Sequence, residues 1–284
     1  MLTSLANPRV KDVVRLRQRS HRDELDLMLI EGYREIKRAL DNGYRPHTLF
    51  TCPEYFMGTH EGTLITRARE AGAEHVTCTR EVFSKMSARD RPDGLLATGP
   101  QIRLRLEDLD LPQDALVVVA ESIEKPGNLG TILRSSDAAG VQAVIVCDRC
   151  TDINNPNVVR ASIGTLFSLP VVEAGTEETL AYLRAGNFTI LAATPHAEQL
   201  YTGADATGPT AIAVGSEQYG LSERWLEAAD AKVRIPMMGQ CDSLNVAAAT
   251  TILLFEAARQ RIARDPGRVP APHVHEVHDT DAGD

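Results

Sequence analysis

The feature that most restricts the fold is an alternation in the second half of the chain, where short apolar runs recur between longer segments of helical character. The runs are Leu116 to Val119, Val144 to Val146, Thr189 to Ala193, Ala211 to Val214 and Val233 to Ile235. Strands and helices taking turns in this way call for a mainly parallel sheet covered by helices. A last helix is expected from about Ser243 to Arg264, mostly apolar for its first three turns. Such a helix needs cover on more than one side, from a domain core, a second copy of the chain, or both.

The first hundred residues read as a smaller α/β unit. Val10, Val13 and Val14 repeat at helical spacing between Pro8 and Gln18, and Leu25 to Ile30 reads as a buried strand ending at Glu31-Gly32. A helix then runs to Leu40 and stops at Asn42-Gly43. A strand at Thr48 to Cys52 and a helix from Leu64 to Ala71 follow. Between Gly99 and Asp114 the sequence turns acidic and irregular, with Pro100 and Pro112, which suits a connection. The expected organisation is α/β throughout: a unit over 1–99, a linker over 100–113, a parallel-sheet domain over 114–264, and a polar tail over 265–284 that cannot pack.

Composition narrows the function classes. With 43% hydrophobic and 24% charged residues, the 284-residue chain is ordinary for a globular protein. Its longest apolar stretches fall short of the ~20 residues that cross a bilayer. The N-terminus lacks the basic-then-apolar build of a secretion signal, so a cytoplasmic protein without a membrane partner is expected. The scattered cysteines suit reduced thiols. Cys147-Asp148-Arg149-Cys150 has no second pair to complete a zinc site, and His273, His275 and His278 lack a metalloprotease order, so no metal is expected. A net charge of −9 argues against a protein that coats nucleic acid over its whole surface, but leaves room for a local site. Arg9, Lys11, Arg15, Arg19 and Arg22 crowd one segment. They form either a solvated helix face or a phosphate-binding patch, and are the candidate RNA contacts.

An α/β sheet suggests a nucleotide-like ligand, yet the chain contains no Gly-x-Gly and no Gly-Lys-Ser/Thr. That removes the dinucleotide fingerprint and the phosphate loop. The nearest imitation, Gly215-Ser216-Glu217-Gln218-Tyr219-Gly220, puts a carboxylate where a pyrophosphate needs bare backbone.

Three segments point elsewhere: Glu124-Lys125-Pro126-Gly127-Asn128-Leu129-Gly130-Thr131-Ile132-Leu133-Arg134, then Gly215 to Gly220, then Ile235-Pro236-Met237-Met238-Gly239-Gln240-Cys241-Asp242-Ser243-Leu244-Asn245-Val246. In this order, each at a strand-to-helix junction, they resemble the three motifs of SpoU/TrmH-type RNA ribose methyltransferases. Arg160 to Phe167 adds a fourth matching stretch, and Met28 to Gly32 more loosely resembles the L30e-like substrate-binding domain that often precedes this catalytic domain. The resemblance implies a deep trefoil knot in the C-terminal domain, which unaided reasoning would never propose. It also implies S-adenosylmethionine as cofactor, RNA as substrate (rRNA in preference to tRNA), and a homodimer whose site is completed across the interface.

By the same resemblance Arg134 is the catalytic arginine, stabilising a forming alkoxide; its structural alternative is a surface pair with Asp137. Asn128 holds Arg134 or the ribose, or simply caps a helix. Glu217 neutralises a cation or orients substrate, or only stabilises a helix start. Ser243 and Asn245 complete the catalytic set and equally suit the opening of a helix. Thr194, Gly215, Ile235, Met237 and Leu244 match cofactor-binding positions, the glycine through close backbone approach. One departure is visible: Ala247 stands where many relatives have serine. The competing functions are methylation of a base by a related knotted fold, and RNA binding or ribosome assembly without catalysis.

Overall fold

The computed structural model describes residues 1–148 and 151–271. The first unit opens with α1 (Pro8–Arg15), started by proline at its first turn and by the Asn7 side chain, which accepts from the Arg9 amide at 2.9 Å. Then come α2 (Arg19–Leu25), β1 (Leu27–Glu31), α3 (Tyr33–Asp41), β2 (Thr48–Thr51), α4 (Glu61–Glu70), β3 (Glu74–Thr77), α5 (Arg80–Met86) and β4 (Leu95–Pro100). The four strands form a mixed sheet in the order β1-β4-β2-β3, with β4 antiparallel to both neighbours. Strands β3 and β4 and helix α5 lie where periodicity gave no clear signal, because their apolar runs are brief.

The break between α1 and α2 corrects one expectation: the basic residues of this segment do not share a helix face. Arg22 is buried. Its guanidinium donates to the Leu16 carbonyl at 2.8 Å and pairs with Asp152 of the second unit, also buried, so it is withdrawn from RNA binding. Arg9 pairs with Glu74, and Arg19 lies 3.5 Å from Asp23. Lys11 and Arg15 remain exposed.

The second unit runs β5 (Leu116–Glu121), α6 (Pro126–Ala138), β6 (Ala143–Cys147), α7 (Pro156–Ala161), β7 (Val171–Ala174), α8 (Thr176–Ala185), β8 (Thr189–Ala193), β9 (Gln199–Leu200), β10 (Thr210–Val214), α9 (Glu223–Ala228), β11 (Ala231–Arg234) and α10 (Val246–Arg264). Its sheet has the order β7-β6-β5-β10-β8-β11-β9, and every neighbouring pair is parallel. Residues on alternate faces of β5 enter different cores. Val117 and Val119 pack with Leu180, Leu183 and Trp225 from α8 and α9. Leu116, Val118 and Ala120 pack with Leu129, Leu133, Val158, Leu253 and Leu254 from α6, α7 and α10. That second core continues into the first unit through Met28, Ile30 and Leu95, so both units share one apolar interior. Each such side chain contributes roughly 1.5–3 kcal/mol of burial.

The last helix begins at Val246, three residues later than expected, because Ser243 and Leu244 stay outside it and Asn245 caps it. The stretch joining the units is packed rather than loose: Leu106 is buried and Leu104 bridges to Val172. Among the described residues no helix is long and apolar enough to cross a membrane. None of their His, Cys, Asp and Glu side chains group in threes that could hold a metal. Cys147 is buried at the end of β6, while Cys150 and the three tail histidines lie outside the described residues.

Candidate active site

At the carboxyl ends of β8, β10 and β11 the loops leave a cleft of about 320 Å3. Ligands of parallel sheets usually bind at this edge, because the strands stop there and the connecting loops diverge. Its walls are apolar, with Val214, Leu226, Val233, Ile235, Leu244 and Leu253, and its mouth carries Thr194, Glu217, Asp242 and Ser243. Gly215 and Met237 line it as well. The sequence-predicted cofactor residues therefore surround one space.

The loop after β10 closes on itself. Ser216 and Gly220 exchange both backbone hydrogen bonds, at 3.0 and 3.1 Å. A side chain on Gly215 would run into the Gly220 carbonyl. The need for glycine here is met by the loop's own return strand, a reason that the pattern alone did not reveal. Similarly Gly130, inside α6, faces the Ala161 methyl of α7 with no room for a Cβ, so that motif glycine lets two helices touch.

Three of the five candidate catalytic residues meet in one cluster. The Asn245 amide donates to a Glu217 oxygen at 2.6 Å and to the Asn128 amide oxygen at 3.2 Å. Its own oxygen accepts from the Ala247 and Ala248 amides, at 3.0 and 3.4 Å, capping α10. Capping and bridging thus use opposite ends of one side chain. Ala247 is buried, and the cap reaches its backbone amide, so a hydroxyl at that position is not needed to start the helix.

The other Glu217 oxygen accepts from the Lys125 ammonium at 2.6 Å. Lys125 precedes α6 and escaped notice as a site residue; its place beside the first motif asparagine was the available signal. Its hydrogen bond is the chief reason that the Glu217 carboxyl is held below the usual glutamate range, and the same bond raises the lysine. Glu217 therefore sits between the starts of α6 and α10, where helix dipoles also favour a negative charge.

Arg134 is not part of this cluster or of the cleft wall. It lies exposed on α6, with no hydrogen bond or ion pair among the described residues. Its structural alternative fails, since Asp137 accepts from the Ser168 hydroxyl at 2.8 Å instead. Ser243 is likewise exposed, at the mouth of the cleft. Glu121, not anticipated, is buried at the end of β5 and accepts from the Ser222 amide at 2.7 Å, fixing the return of the 215–220 loop.

Residues 115–255 match the model of the SpoU rRNA methylase family, and residues 7–97 match that of an MRM3-like substrate binding domain. The chain is 31% identical to the 23S rRNA (uridine(2479)-2′-O)-methyltransferase of Streptomyces viridochromogenes, over 90% of each chain. The chain belongs to the SpoU rRNA methylase family. A solved RNA 2′-O ribose methyltransferase superposes on it with a TM-score of 0.81 at 44% identity, covering 92% of this chain and 99% of the other. An AdoMet-bound rRNA methyltransferase from Sinorhizobium meliloti does so with a TM-score of 0.83 at 34% identity, covering 91% and 97%. Against this SpoU background the β10 loop, the α6 start and the α10 start are one assembled unit rather than separate motifs.

Proposed function

We propose that this protein transfers a methyl group from S-adenosylmethionine to a ribose 2′-hydroxyl of ribosomal RNA. The observation that carries the reading is the convergence of the three motif segments: two of them wall the cleft and the third joins them through the bonds between Asn128, Glu217 and Asn245. The cleft's chemistry fits this cofactor. Its apolar wall suits an adenine ring, and the carboxylates of Glu217 and Asp242 suit a cation and repel a pyrophosphate.

When bound, S-adenosylmethionine would supply a methyl group activated by its positively charged sulfur for in-line transfer to a ribose hydroxyl, releasing S-adenosylhomocysteine and a proton. The protein's part is placement and charge stabilisation. Asn245 and Glu217 fix the cleft wall to the two helix starts. Asn128, on the first turn of α6, is engaged by Asn245 and Glu217 and holds the ribose through the amide valences that these bonds leave open. Arg134 stays protonated under nearly all conditions, so it stabilises the forming alkoxide and an adjacent phosphate rather than acting as a base. Its unpaired, exposed position suits action on a site completed by a second copy of the chain.

The reading extends to the assembly. Phe255 is 51% exposed and Ile262 38%, one face of α10 lies open between them, and a two-fold homodimer would cover it. A trefoil knot of the C-terminal domain and an L30e-like fold for the first unit are the architectures proposed, with the cytoplasm as the compartment and rRNA preferred over tRNA. Lys11 and Arg15 are proposed as outlying phosphate contacts.

The test is transfer of tritiated methyl from the labelled cofactor into transcripts of 23S rRNA and of tRNA. Label should enter the ribosomal transcript and survive alkaline hydrolysis as a dinucleotide, because a 2′-O-methyl group blocks cleavage at its own phosphate. Label on a base, or none in any RNA, would overturn the assignment.

A further inference from the structure

A second concavity, about 1080 Å3 and much larger than the 320 Å3 cleft, opens where the two units meet. Tyr33 and Arg34 from the start of α3, and Phe56 and Met57 from the loop before α4, form one side. Arg160, from the last turn of α7, and Ile163, just after it, form the other. The wall is firmly joined: Arg38 donates to the Ile163 carbonyl at 2.6 Å, and the Gly164 turn lies against the Glu35 backbone.

The charge of this concavity is decided by which of its ionic groups are already satisfied. Glu35 is buried and accepts from Arg89 at 2.8 Å. Asp93 accepts from the Tyr33 amide at 2.8 Å, and Glu61 from the Met57 and Gly58 amides at 3.1 and 2.8 Å. Each of these carboxylates thus already has a donor from the protein, and Glu35 and Glu61 are buried. Arg34, exposed, has no ion pair among the described residues, and Arg160, also exposed, makes one bond to the neutral Asn157 amide. What faces outward is two guanidinium groups on opposite sides and an exposed methionine, Met57, with the half-buried Tyr33 ring in the lining beside Arg34.

The location ties this surface to the chemistry. Arg160 precedes Ala161, whose methyl packs against Gly130 of α6, and Arg134 lies four residues, or about one helical turn, beyond Gly130. Arg160 and Arg134 thus stand on two helices that pack directly against each other.

We infer that this concavity is the track for a single-stranded segment of the RNA substrate. Arg34 and Arg160 hold its phosphates, and Tyr33 stacks on an unpaired base. Fixed positive charge on two walls with an aromatic ring in the lining supplies the elements by which unstructured RNA is gripped without reading a duplex. This inference rests on the RNA methyltransferase reading and goes beyond it by placing the substrate on both units.

The test uses the full chain saturated with S-adenosylhomocysteine and a fluorescent single-stranded oligouridylate, with anisotropy followed across a salt series. Arg34→Glu and Arg160→Glu should each weaken binding about tenfold or more at low salt and lower the salt slope by about one. Tyr33→Ala should weaken it by a similar factor with little change in slope. Calorimetric affinity for S-adenosylhomocysteine should be unchanged in all three, which shows the variants to be folded. If the wild type methylates RNA while all three variants bind the oligonucleotide normally, the inference is wrong. If they lose activity only on ribosomal particles and keep it on naked transcript, the surface docks a protein and the inference is again wrong. Failure of the wild type itself to methylate RNA would instead overturn the reading on which it rests.

Discussion

What Glu217 can do is set by what it already binds. Its carboxyl is held below the ordinary value of 4.5 chiefly by Lys125, with help from Asn128 and Asn245 and against some desolvation. A depressed carboxyl contributes its bonds fully above the ordinary value and loses them only as pH falls through the lowered one. Affinity for S-adenosylhomocysteine should therefore stay level from neutrality down to about pH 5 and decline only below 4.5. Glu217→Gln should abolish that acid decline. A midpoint near pH 6, measured by calorimetry, would assign the decline to another group. Arg134 differs because nothing among the described residues holds it. On the proposed role its partner arrives with substrate, so Arg134→Ala should leave cofactor affinity intact and reduce single-turnover methylation about a hundredfold or more, the usual cost of roughly 3–4 kcal/mol for one charge stabiliser. Lysine should rescue poorly, lacking the planar fork. Near-normal single turnover in Arg134→Ala would make it a surface residue.

At the scale of elements, two helix starts do the assembling, and Asn245 has one hand on each. Its oxygen caps α10, and its amide nitrogen reaches Glu217 and Asn128 beside α6. The two roles separate by substitution. Asn245→Ser keeps a capping oxygen but no amide donor, so thermal stability should change little while cofactor affinity and turnover fall. Asn245→Ala should lose the cap as well, destabilising by about 1 kcal/mol. Equal activity in the serine variant and the wild type would reduce Asn245 to a cap. The strands were legible in sequence wherever four or five apolar residues ran together, as at Leu116 to Val119 and Thr189 to Ala193. They were not legible at Val171–Ala174, where only two valines follow a proline, nor at the two-residue Gln199–Leu200, which depends on its neighbour β11. The site was legible as an ordered set of motifs because each lies at a strand end. Lys125 was not, since a lone lysine carries no pattern until its partner is placed. Arg22 misled for the opposite reason: a cation in a basic stretch looks solvated until Asp152, far along the chain, is folded against it.

For the molecule as a whole, the open question of cover that the apolar last helix raised is half answered within one chain. Val246, Ala247, Leu253, Leu254 and Ala257 turn inward against α6 and the sheet. Ala248 and Phe255 remain exposed, Ile252 between them and Ala258 beyond them are half-buried, and Ile262 continues the stripe. These positions recur at helical spacing on one face, so the pattern is a continuous apolar stripe rather than scattered exposure. A second copy using the same face would form a self-complementary contact about a two-fold axis, and would bring a partner surface near α6, which packs on α10 and carries Arg134. Phe255→Glu places a charge at the centre of that face without disturbing the buried side, so it should convert a dimer into a folded monomer in light scattering at micromolar concentration. Cofactor binding should survive in the monomer to the extent that one chain supplies the cleft walls. Methyl transfer should be lost with the dimer and return as protein concentration is raised far enough to restore it. A wild-type monomer, or a Phe255→Glu monomer with full activity, would show that Arg134 serves the site of its own chain and that the open face of α10 has another purpose.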